Sequence, residues 1–208
     1  MATISIITPW LDASELRAVY ESTCKGSQVI VIDNGSQPHH ANAIRAMVNR
    51  MNGHYIRNEK NNRFAKANNQ GLAVATGDII LFLNNDVEGR DNWLEQVAND
   101  VKPGALYGPA KGSKVIAGRN VPYIEGFCIA ATRDTWERLG GWDETLPGMY
   151  WEDNELCWRA SQMGIGLIET RWPVYHYGNY TSGQTPGAYD HSAENQAELS
   201  RRIRESDK

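Results

Sequence analysis

Uninterrupted apolar runs alternate with amphipathic segments through the first half of the chain. The runs read TISIIT, QVIVID and IILFL, a shorter one reads GHYIRN, and polar residues end each of them. A strand buried on both faces has this pattern, because neither face needs polar side chains. Between the runs, DASELRAVYEST, ANAIRAMVNRM and RFAKANNQGLAVAT repeat apolar residues at helical spacing. The alternation predicts an α/β fold with three layers, α/β/α, and a mostly parallel central sheet.

The second half is richer in glycine and mixes short β-like pieces with helical segments such as FCIAATRDTWERLG. This mixture predicts an α+β half that completes the same sheet. No linker divides the chain, so we expect a single domain over residues 1–185, with halves at 1–100 and 101–185. The remaining residues, 186–208, predict a charged, peripheral helix or tail.

Composition and charge narrow the class of protein. The chain has 208 residues, 41% of them hydrophobic, and a net charge of −4 with scattered Lys and Arg. A nucleic-acid-binding surface needs a concentrated basic face, so none is predicted. No apolar stretch approaches the roughly 20 residues that span a bilayer, and no secretory signal is expected at the N-terminus. Because the three cysteines are widely spaced, we expect a reduced, cytoplasmic protein; peripheral recruitment to a membrane and the oligomeric state stay open.

Three common catalytic signatures are absent from the sequence. It contains no GxxxxGK[ST], no GxGxxG after the first strand and no GxSxG. P-loop chemistry, dinucleotide binding by the Rossmann fingerprint and α/β-hydrolase activity are therefore poorly supported.

Polar residues follow three of the predicted strands at the point where each strand ends. They are Thr8 and Pro9; Asp33, Asn34 and Ser36; and Asn84, Asn85 and Asp86. The carboxyl ends of neighbouring parallel strands meet at one edge of a sheet, where open α/β folds bind ligands. Asp33 is suited to accept from a nucleobase or a ribose, and Asp86 to hold Mg²⁺ or Mn²⁺ together with substrate phosphates. Read singly, each turn also has a purely structural interpretation.

Three longer segments resemble glycosyltransferase family 2, with rhamnosyltransferase-like members closest. They read VIVIDNGS, NNRFAKANNQGLAVATGDIILFLNNDV and GGWDETLPGMYWEDNELCWRASQMGIGLIETRWPVYHYG, in the family's order. The resemblance covers roughly residues 3–180. It implies an inverting enzyme of the GT-A fold, with residues 1–100 binding the nucleotide sugar and 101–185 binding the acceptor.

The resemblance also assigns roles at the donor site. Asp33 matches the aspartate that contacts the base, and Asp86 the last residue of a D-x-D-like metal motif, while Asn84 and Asn85 mainly shape the loop. Arg63 stands where the family has glycine, so either the loop is remodelled or the guanidinium meets a donor phosphate. The full donor set it implies is Thr8, Pro9, Asp33, Asn34, Ser36, Asn61, Arg63, Phe64, Asn69 and Asn85.

The segment YWEDNELCWR matches the family's acidic motif that faces the acceptor. Direct displacement at an anomeric carbon requires the acceptor hydroxyl to lose its proton as it attacks, and a positioned carboxylate supplies that base. Asp153 is the expected base, with Glu152 supporting it or binding an acceptor hydroxyl. The alternative is that both acids merely occupy a helix N-terminus, where negative charge is favourable.

Four further residues have weaker assignments. His176 lies near the position of a family histidine that completes the metal or diphosphate site, and a surface or structural role is an equal alternative. Gly126 begins a segment that borders the sugars in the family. Trp142 and Trp151 flank the acidic motif and are candidates for stacking on an acceptor sugar, although core filling is the commoner role of tryptophan.

The sequence thus predicts a Mn²⁺- or Mg²⁺-dependent inverting glycosyltransferase that uses a UDP-, dTDP- or GDP-linked sugar. The acceptor stays open among a glycan, a lipid-linked species, a protein and a small molecule. A sugar-phosphate nucleotidyltransferase is one alternative, but it should show a Gly-rich basic loop where this chain has TPWLDAS. A non-catalytic carbohydrate-binding protein is the other, and it has no use for three separate aspartates.

Overall fold

A central sheet organises the structure, a computed structural model that describes residues 2–146, 150–178 and 191–206. In chain order the strands are β1 (Ile4–Trp10), β2 (Gln28–Asp33), β3 (His54–Arg57), β4 (Ile79–Leu83), β5 (Val87–Gly89), β6 (Ala105–Gly108), β7 (Lys111–Ile116), β8 (Arg119–Ile124), β9 (Cys128–Thr132), β10 (Gly166–Glu169) and β11 (Val174–His176). Seven of them form the central sheet in the order β10-β6-β9-β4-β1-β2-β3. Strands β5 and β11 form a separate ribbon, and β7 and β8 a separate hairpin.

Strand β4 is apolar along its whole length because both faces of the sheet are covered. Every residue of β4 is buried, and its side chains alternate between two cores. Leu81 belongs to the core on one face, and its neighbours Ile80 and Phe82 belong to the core on the other. This double burial explains why the runs show no polar alternation.

Helices cover the two faces, which confirms the three-layer α/β prediction. They are α1 (Arg17–Thr23), α2 (Pro38–Arg50), α3 (Phe64–Leu72), α4 (Trp93–Asp100), α5 (Arg133–Leu139), α6 (Glu152–Gln162) and α7 (Ser192–Glu205). Buried residues of α1, α2 and α4 join one core, and those of α3, α5 and α6 join the other. No helix among the residues described is both long and apolar enough to cross a bilayer.

Strand β1 lies between β2 and β4 and is parallel to both. The prediction that the polar residues after these strands meet at one edge of the sheet depends on this arrangement. The register of the strands aligns Trp10 with Asp33 and Ile7 with Phe82. Each strand therefore delivers its following residues to the same edge of the sheet.

The second half completes this sheet, as its mixed pattern predicted. Strand β9 is antiparallel to β4 on one side and to β6 on the other, and β10 is parallel to β6. The proposed boundary near residue 185 lies outside the described residues, so the division into a 1–185 domain and a 186–208 tail stays a prediction.

The C-terminal helix α7 is less peripheral than its charged sequence indicates. Its residues Leu199 and Ile203 are fully buried and pack with Ile116 and Val121 of the β7–β8 hairpin. Charged side chains occupy the opposite, exposed face, where Arg201 pairs with glutamates of the same helix.

Close packing of α3 on the sheet yields a test of the fold. A Cβ built on Gly71 would lie 2.3 Å from Cγ2 of Ile7 and 2.9 Å from Cδ1 of Ile32. Because neither β-branched side chain has room to yield, we expect Gly71→Ala to lower the free energy of unfolding by about 1–3 kcal/mol. Denaturant titration measures the change. Gly166→Ala is the matched control, since its Cβ would meet Ala105 at an ordinary 3.4 Å; equal losses in the two variants would contradict the packing argument.

Candidate active site

One cavity of about 480 Å³ opens at the edge of the sheet where β1, β2 and β4 end. Strand ends and the loop before α3 form one wall: Pro9, Trp10, Leu11, Asn34, Asn61, Arg63, Phe64, Asn84, Asn85 and Asp86. The β7–β8 hairpin, the segment that follows it and the start of α6 supply further lining residues: Lys114, Tyr123, Glu125, Gly126, Phe127, Tyr150, Trp151, Glu152 and Asp153. Both predicted chemical centres, Asp86 and Asp153, therefore face the same space.

The ribbon of β5 and β11 brings Asp86 and His176 together. Asp86 precedes β5, His176 ends β11, and the main-chain N–H of Tyr177 donates to the Asp86 carbonyl at 3.0 Å. The Asp86 Oδ1 lies 3.2 Å from Nε2 of His176, whose ring stacks on Phe127 with centroids 4.2 Å apart. The predicted pairing of these two residues is thus present in the geometry.

The Asp86–His176 pair fits a divalent cation that shares its ligands with a substrate. Within the described ranges, no group of three or more His, Cys, Asp and Glu residues could hold a metal. A magnesium-type ion normally takes one or two carboxylates and fills its other positions with phosphates and water. Asp86 supplies one such carboxylate at the cavity wall, and His176 places an imidazole nitrogen beside it.

The acidic pair begins α6, as the sequence predicted, and the Asp153 carboxylate is fixed in place. Its Oδ2 accepts from the main-chain N–H of Gly126 at 3.2 Å, and its Oδ1 from that of Asn154 at 2.8 Å. Burial raises the pKa of Asp153 above its ordinary value, while the Gly126 N–H and the charge of Lys114 oppose the rise. The carboxylate is therefore held in one orientation with a pKa closer to neutrality.

Glu152, the first acid of the pair, is deeply buried. Its side chain is only 7% exposed. Burial, reinforced by the charge of Asp153, raises the pKa of Glu152 to about 8. At neutral pH Glu152 is mostly a neutral acid and hydrogen-bond donor, whereas Asp153 is anchored by donors that favour its charged form.

Lys114 is a site residue that sequence reasoning missed. Its ammonium lies 4.3 Å from the Trp151 ring centroid and donates to Oδ1 of Asn154 at 3.2 Å. Nothing in the local pattern of the β7–β8 hairpin marks this lysine, since its contacts come from segments far away in the chain. Tyr123 and Glu125 were missed for the same reason.

Asp33 lies behind the cavity wall, where its carboxylate already has partners. It has no exposed surface, its Oδ1 accepts from the Ser36 N–H at 2.9 Å, and its Oδ2 accepts from Tyr55 and Arg57. Ser36 also turns away from the cavity and accepts from the Asp12 N–H at 2.8 Å. The expected contact of Asp33 with a donor base stays a prediction, and it requires one of these partners to move.

Asn34 and Asn61, by contrast, line the cavity and shape its wall. The Asn34 amide donates to Oδ1 of Asn61 at 2.8 Å and to the Arg63 carbonyl at 3.2 Å. It also accepts from the Asn62 N–H at 2.9 Å. These bonds fix the loop that leads into α3.

Two residues expected at the donor site, Thr8 and Asn69, do not line the cavity. Thr8 is fully buried and accepts from the Tyr20 hydroxyl at 2.8 Å, so only Pro9 of the Thr8–Pro9 pair lines the cavity. Asn69 points towards the loop at Trp142, where it donates to the carbonyl at 2.9 Å and accepts from the N–H at 2.9 Å.

Trp142 itself belongs to the core and cannot stack on an acceptor in this structure. Its side chain is 3% exposed and meets Phe64 and Phe82 edge to face. Trp151 and Gly126 do line the cavity, so their acceptor roles stay predictions. A tryptophan beside an acidic motif can point into the core or into the cavity. Only the fold shows that Trp142 does the first and Trp151 the second.

Arg63 has a backbone conformation that favours glycine. Its φ of 69° and ψ of 174° fall in a region that glycine adopts and other residues avoid. Its N–H donates to Oδ1 of Asn61 at 2.8 Å, which helps to hold the loop. Arg63 also lines the cavity, so its contact with a donor phosphate stays a prediction.

Comparison with known families places these observations among glycosyltransferases. A family model described as glycosyl transferase family 2 matches residues 5–114, more than half of the 208 residues. A pre-mycofactocin glycosyltransferase of Mycobacterium tuberculosis is 27% identical in an alignment 184 residues long that covers 75% of this chain and 38% of that relative. The chain thus spans less than half the length of this relative.

Two solved structures show a similar fold. GalNAc-T7 with UDP, GalNAc and Mn²⁺ matches with a TM-score of 0.76 at 16% identity, over 98% of this chain and 48% of that one. A mannosyltransferase from Pyrobaculum calidifontis in complex with GDP-Man and Mn²⁺ matches with a TM-score of 0.63 at 16% identity, over 81% and 55% of the two chains. At such low identity the likeness concerns the fold alone.

The backbone at Arg63 gives a stability test. Because glycine relieves the strained φ, we expect Arg63→Gly to raise the free energy of unfolding by about 1 kcal/mol despite the greater entropy of the unfolded chain. Lys66→Gly, at an exposed position within α3, is the matched control and should lower it by about 1 kcal/mol. Denaturant titration compares the two, and a loss of similar size at both positions would refute strain at Arg63.

The raised pKa of Glu152 predicts how stability depends on pH. A folded-state pKa of about 8, above the ordinary 4.5, means that ionisation of Glu152 opposes folding. The contribution of protonated Glu152 to the free energy of unfolding is complete below the unfolded-state pKa. It is lost as pH rises through the folded-state pKa. We therefore expect the melting temperature of the wild type to fall more than that of Glu152→Gln between about pH 5 and about pH 9. Glu137→Gln, at an exposed position of α5, should keep the wild-type slope; parallel curves for all three proteins would contradict the buried acid.

Proposed function

This chain belongs to glycosyl transferase family 2 and has the GT-A fold, and we propose that it is a metal-dependent, inverting enzyme. It moves a sugar from a nucleoside-diphosphate sugar to an acceptor hydroxyl by direct displacement. The observation that carries the proposal is that one cavity is lined both by the Asp86–His176 pair and by the oriented Asp153 carboxylate.

The donor half of the proposal rests on the wall built from strand ends. Asp86 and His176 would hold Mn²⁺ or Mg²⁺, and the bound ion would neutralise charge on the departing diphosphate. The two similar solved structures, which were determined with UDP or GDP-Man and with Mn²⁺, support this assignment. Arg63 adds a cation on the same wall, suited to a phosphate oxygen.

The proton chemistry rests on the different environments of the two acids. Asp153 takes the proton from the acceptor hydroxyl as that oxygen attacks the anomeric carbon on the face opposite the diphosphate. The N–H groups of Gly126 and Asn154 hold its carboxylate in position for this transfer. Glu152, protonated at neutral pH, donates a hydrogen bond to a substrate oxygen. No covalent bond between sugar and enzyme is required.

A panel of nucleotide sugars with Mn²⁺ tests the reaction class. Release of nucleoside diphosphate with transfer to an acceptor is the expected result. Removal of the metal with a chelator should abolish this release, and added Mn²⁺ should restore it. Pyrophosphate release from a nucleoside triphosphate and a sugar phosphate would instead identify a nucleotidyltransferase, and sugar binding without turnover would identify a binding protein.

The base assignment has its own test. Asp153→Asn keeps the size of the side chain and one of its two acceptor oxygens but cannot take up the proton, so we expect transfer to fall by about 10²–10⁴-fold with donor affinity unchanged. Asp91→Asn is the control, because Asp91 is exposed and its φ of 50° is one that asparagine tolerates. Calorimetric titration with the donor nucleotide checks binding. Near-normal transfer by Asp153→Asn would sink the assignment.

A further inference from the structure

Helix α7 contacts two segments that precede the acidic pair, residues 143–145 and residues 150–151. At one end of the helix, Asn195 donates to the Tyr150 carbonyl at 2.8 Å, and Ser192 Oγ accepts from the Trp151 indole N–H at 3.1 Å. Near the other end, Arg202 pairs with the Asp143 carboxylate. The same arginine donates to the Thr145 hydroxyl at 2.8 Å. A helix at the end of the sequence therefore contacts the residues that precede Glu152.

These contacts fall on an unusual stretch of backbone. Tyr150 and Trp151 are consecutive residues with φ of 69° and 75°, in the left-handed region that favours glycine. Side-chain-bearing residues persist in such conformations only where the surrounding structure determines them. The Asn195 amide holds Tyr150 by donating to its main-chain carbonyl. The Ser192 hydroxyl holds Trp151 by accepting from its indole N–H.

The conformation of this dipeptide sets the direction of α6. The Trp151 carbonyl accepts the first helical hydrogen bond, from the Glu155 N–H, at 2.9 Å. Glu152 and Asp153 follow at once, so a change of the Trp151 backbone would swing both carboxyl groups. Asn195 is itself fully buried, which leaves its amide little freedom to adjust.

The β7–β8 hairpin gives α7 a fixed base. Leu199 and Ile203 are buried against Ile116 and Val121 of that hairpin. The hairpin also carries Lys114, whose ammonium lies over the Trp151 ring. Helix, hairpin and dipeptide thus form one packed unit beside the cavity.

We infer that α7 positions the acidic pair of the active site, with Asn195 and Ser192 as positioning residues that hold Tyr150 and Trp151 in the left-handed conformation. The catalytic consequence rests on the proposed function, but the structural part does not. Neither residue lines the cavity, and both act through the start of α6.

Two readouts test this inference on the full chain. We expect Asn195→Ala to lower kcat about tenfold and Ser192→Ala to lower it by a smaller factor, both with the KM for the donor unchanged, because small displacements of reacting groups are costly. Amide hydrogen exchange over residues 152–157 should speed up in both variants. Ser192→Thr keeps the hydroxyl and should restore kcat and protection together.

Arg201→Ala is the matched control, because Arg201 lies on the exposed face of α7 and pairs with Glu198 and Glu205 of the same helix. It should leave kcat and exchange over residues 152–157 unchanged. Ser192→Ala removes one hydroxyl at a half-buried position, so it keeps the test valid if Asn195→Ala does not fold. Unchanged exchange, or faster exchange with unchanged kcat, in Ser192→Ala would overturn the inference. If the wild type shows no transfer, the proposed function fails, and the exchange data alone decide whether α7 holds the segment.

Discussion

The register among β1, β2 and β4 is the constraint on which the site depends. Main-chain hydrogen bonds align these strands so that they end at one edge, and double burial fixes which residues face each core. A slip by one residue would turn every core side chain to the wrong face, so the register is strongly specified. Asp86 after β4 and the loop partners after β2 are brought together by this alignment. The lining residues on the β7–β8 hairpin and at the start of α6 belong to the second half of the chain, which β9 joins to the same sheet.

The two acids at the start of α6 show how environment divides chemistry between similar groups. Both are next to each other in sequence and both have a pKa raised by burial. Asp153 receives two main-chain N–H groups and faces Lys114, all of which favour its charged form, whereas Glu152 is buried with its pKa at about 8. One is therefore equipped to take a proton and the other to donate a hydrogen bond.

Much of the fold could be predicted because its signals are local. Buried strands read as apolar runs, helices as periodic ones, and the acidic motif as a helix start. Which polar residue faces the cavity is decided by tertiary packing, and there the predictions separate into those that line the cavity and those that do not. Thr8 and Asn69 occupy motif positions but lie behind the wall, and Lys114 faces the cavity without any motif. The burial of Leu199 in a highly charged helix was missed for the same reason.

The strand order has a consequence for the order of folding. Ile4 of β1 pairs with Ile79 of β4, and β4 in turn pairs with β9, so neither side of β4 can be completed from neighbouring sequence. Such long-range pairings carry a large loop-closure entropy and form slowly. The cavity is lined by residues from both sides of β4, and α7 follows all the other described elements in chain order. A chain emerging during synthesis would therefore form the core around β1, β2 and β4 before the elements that complete the cavity were present.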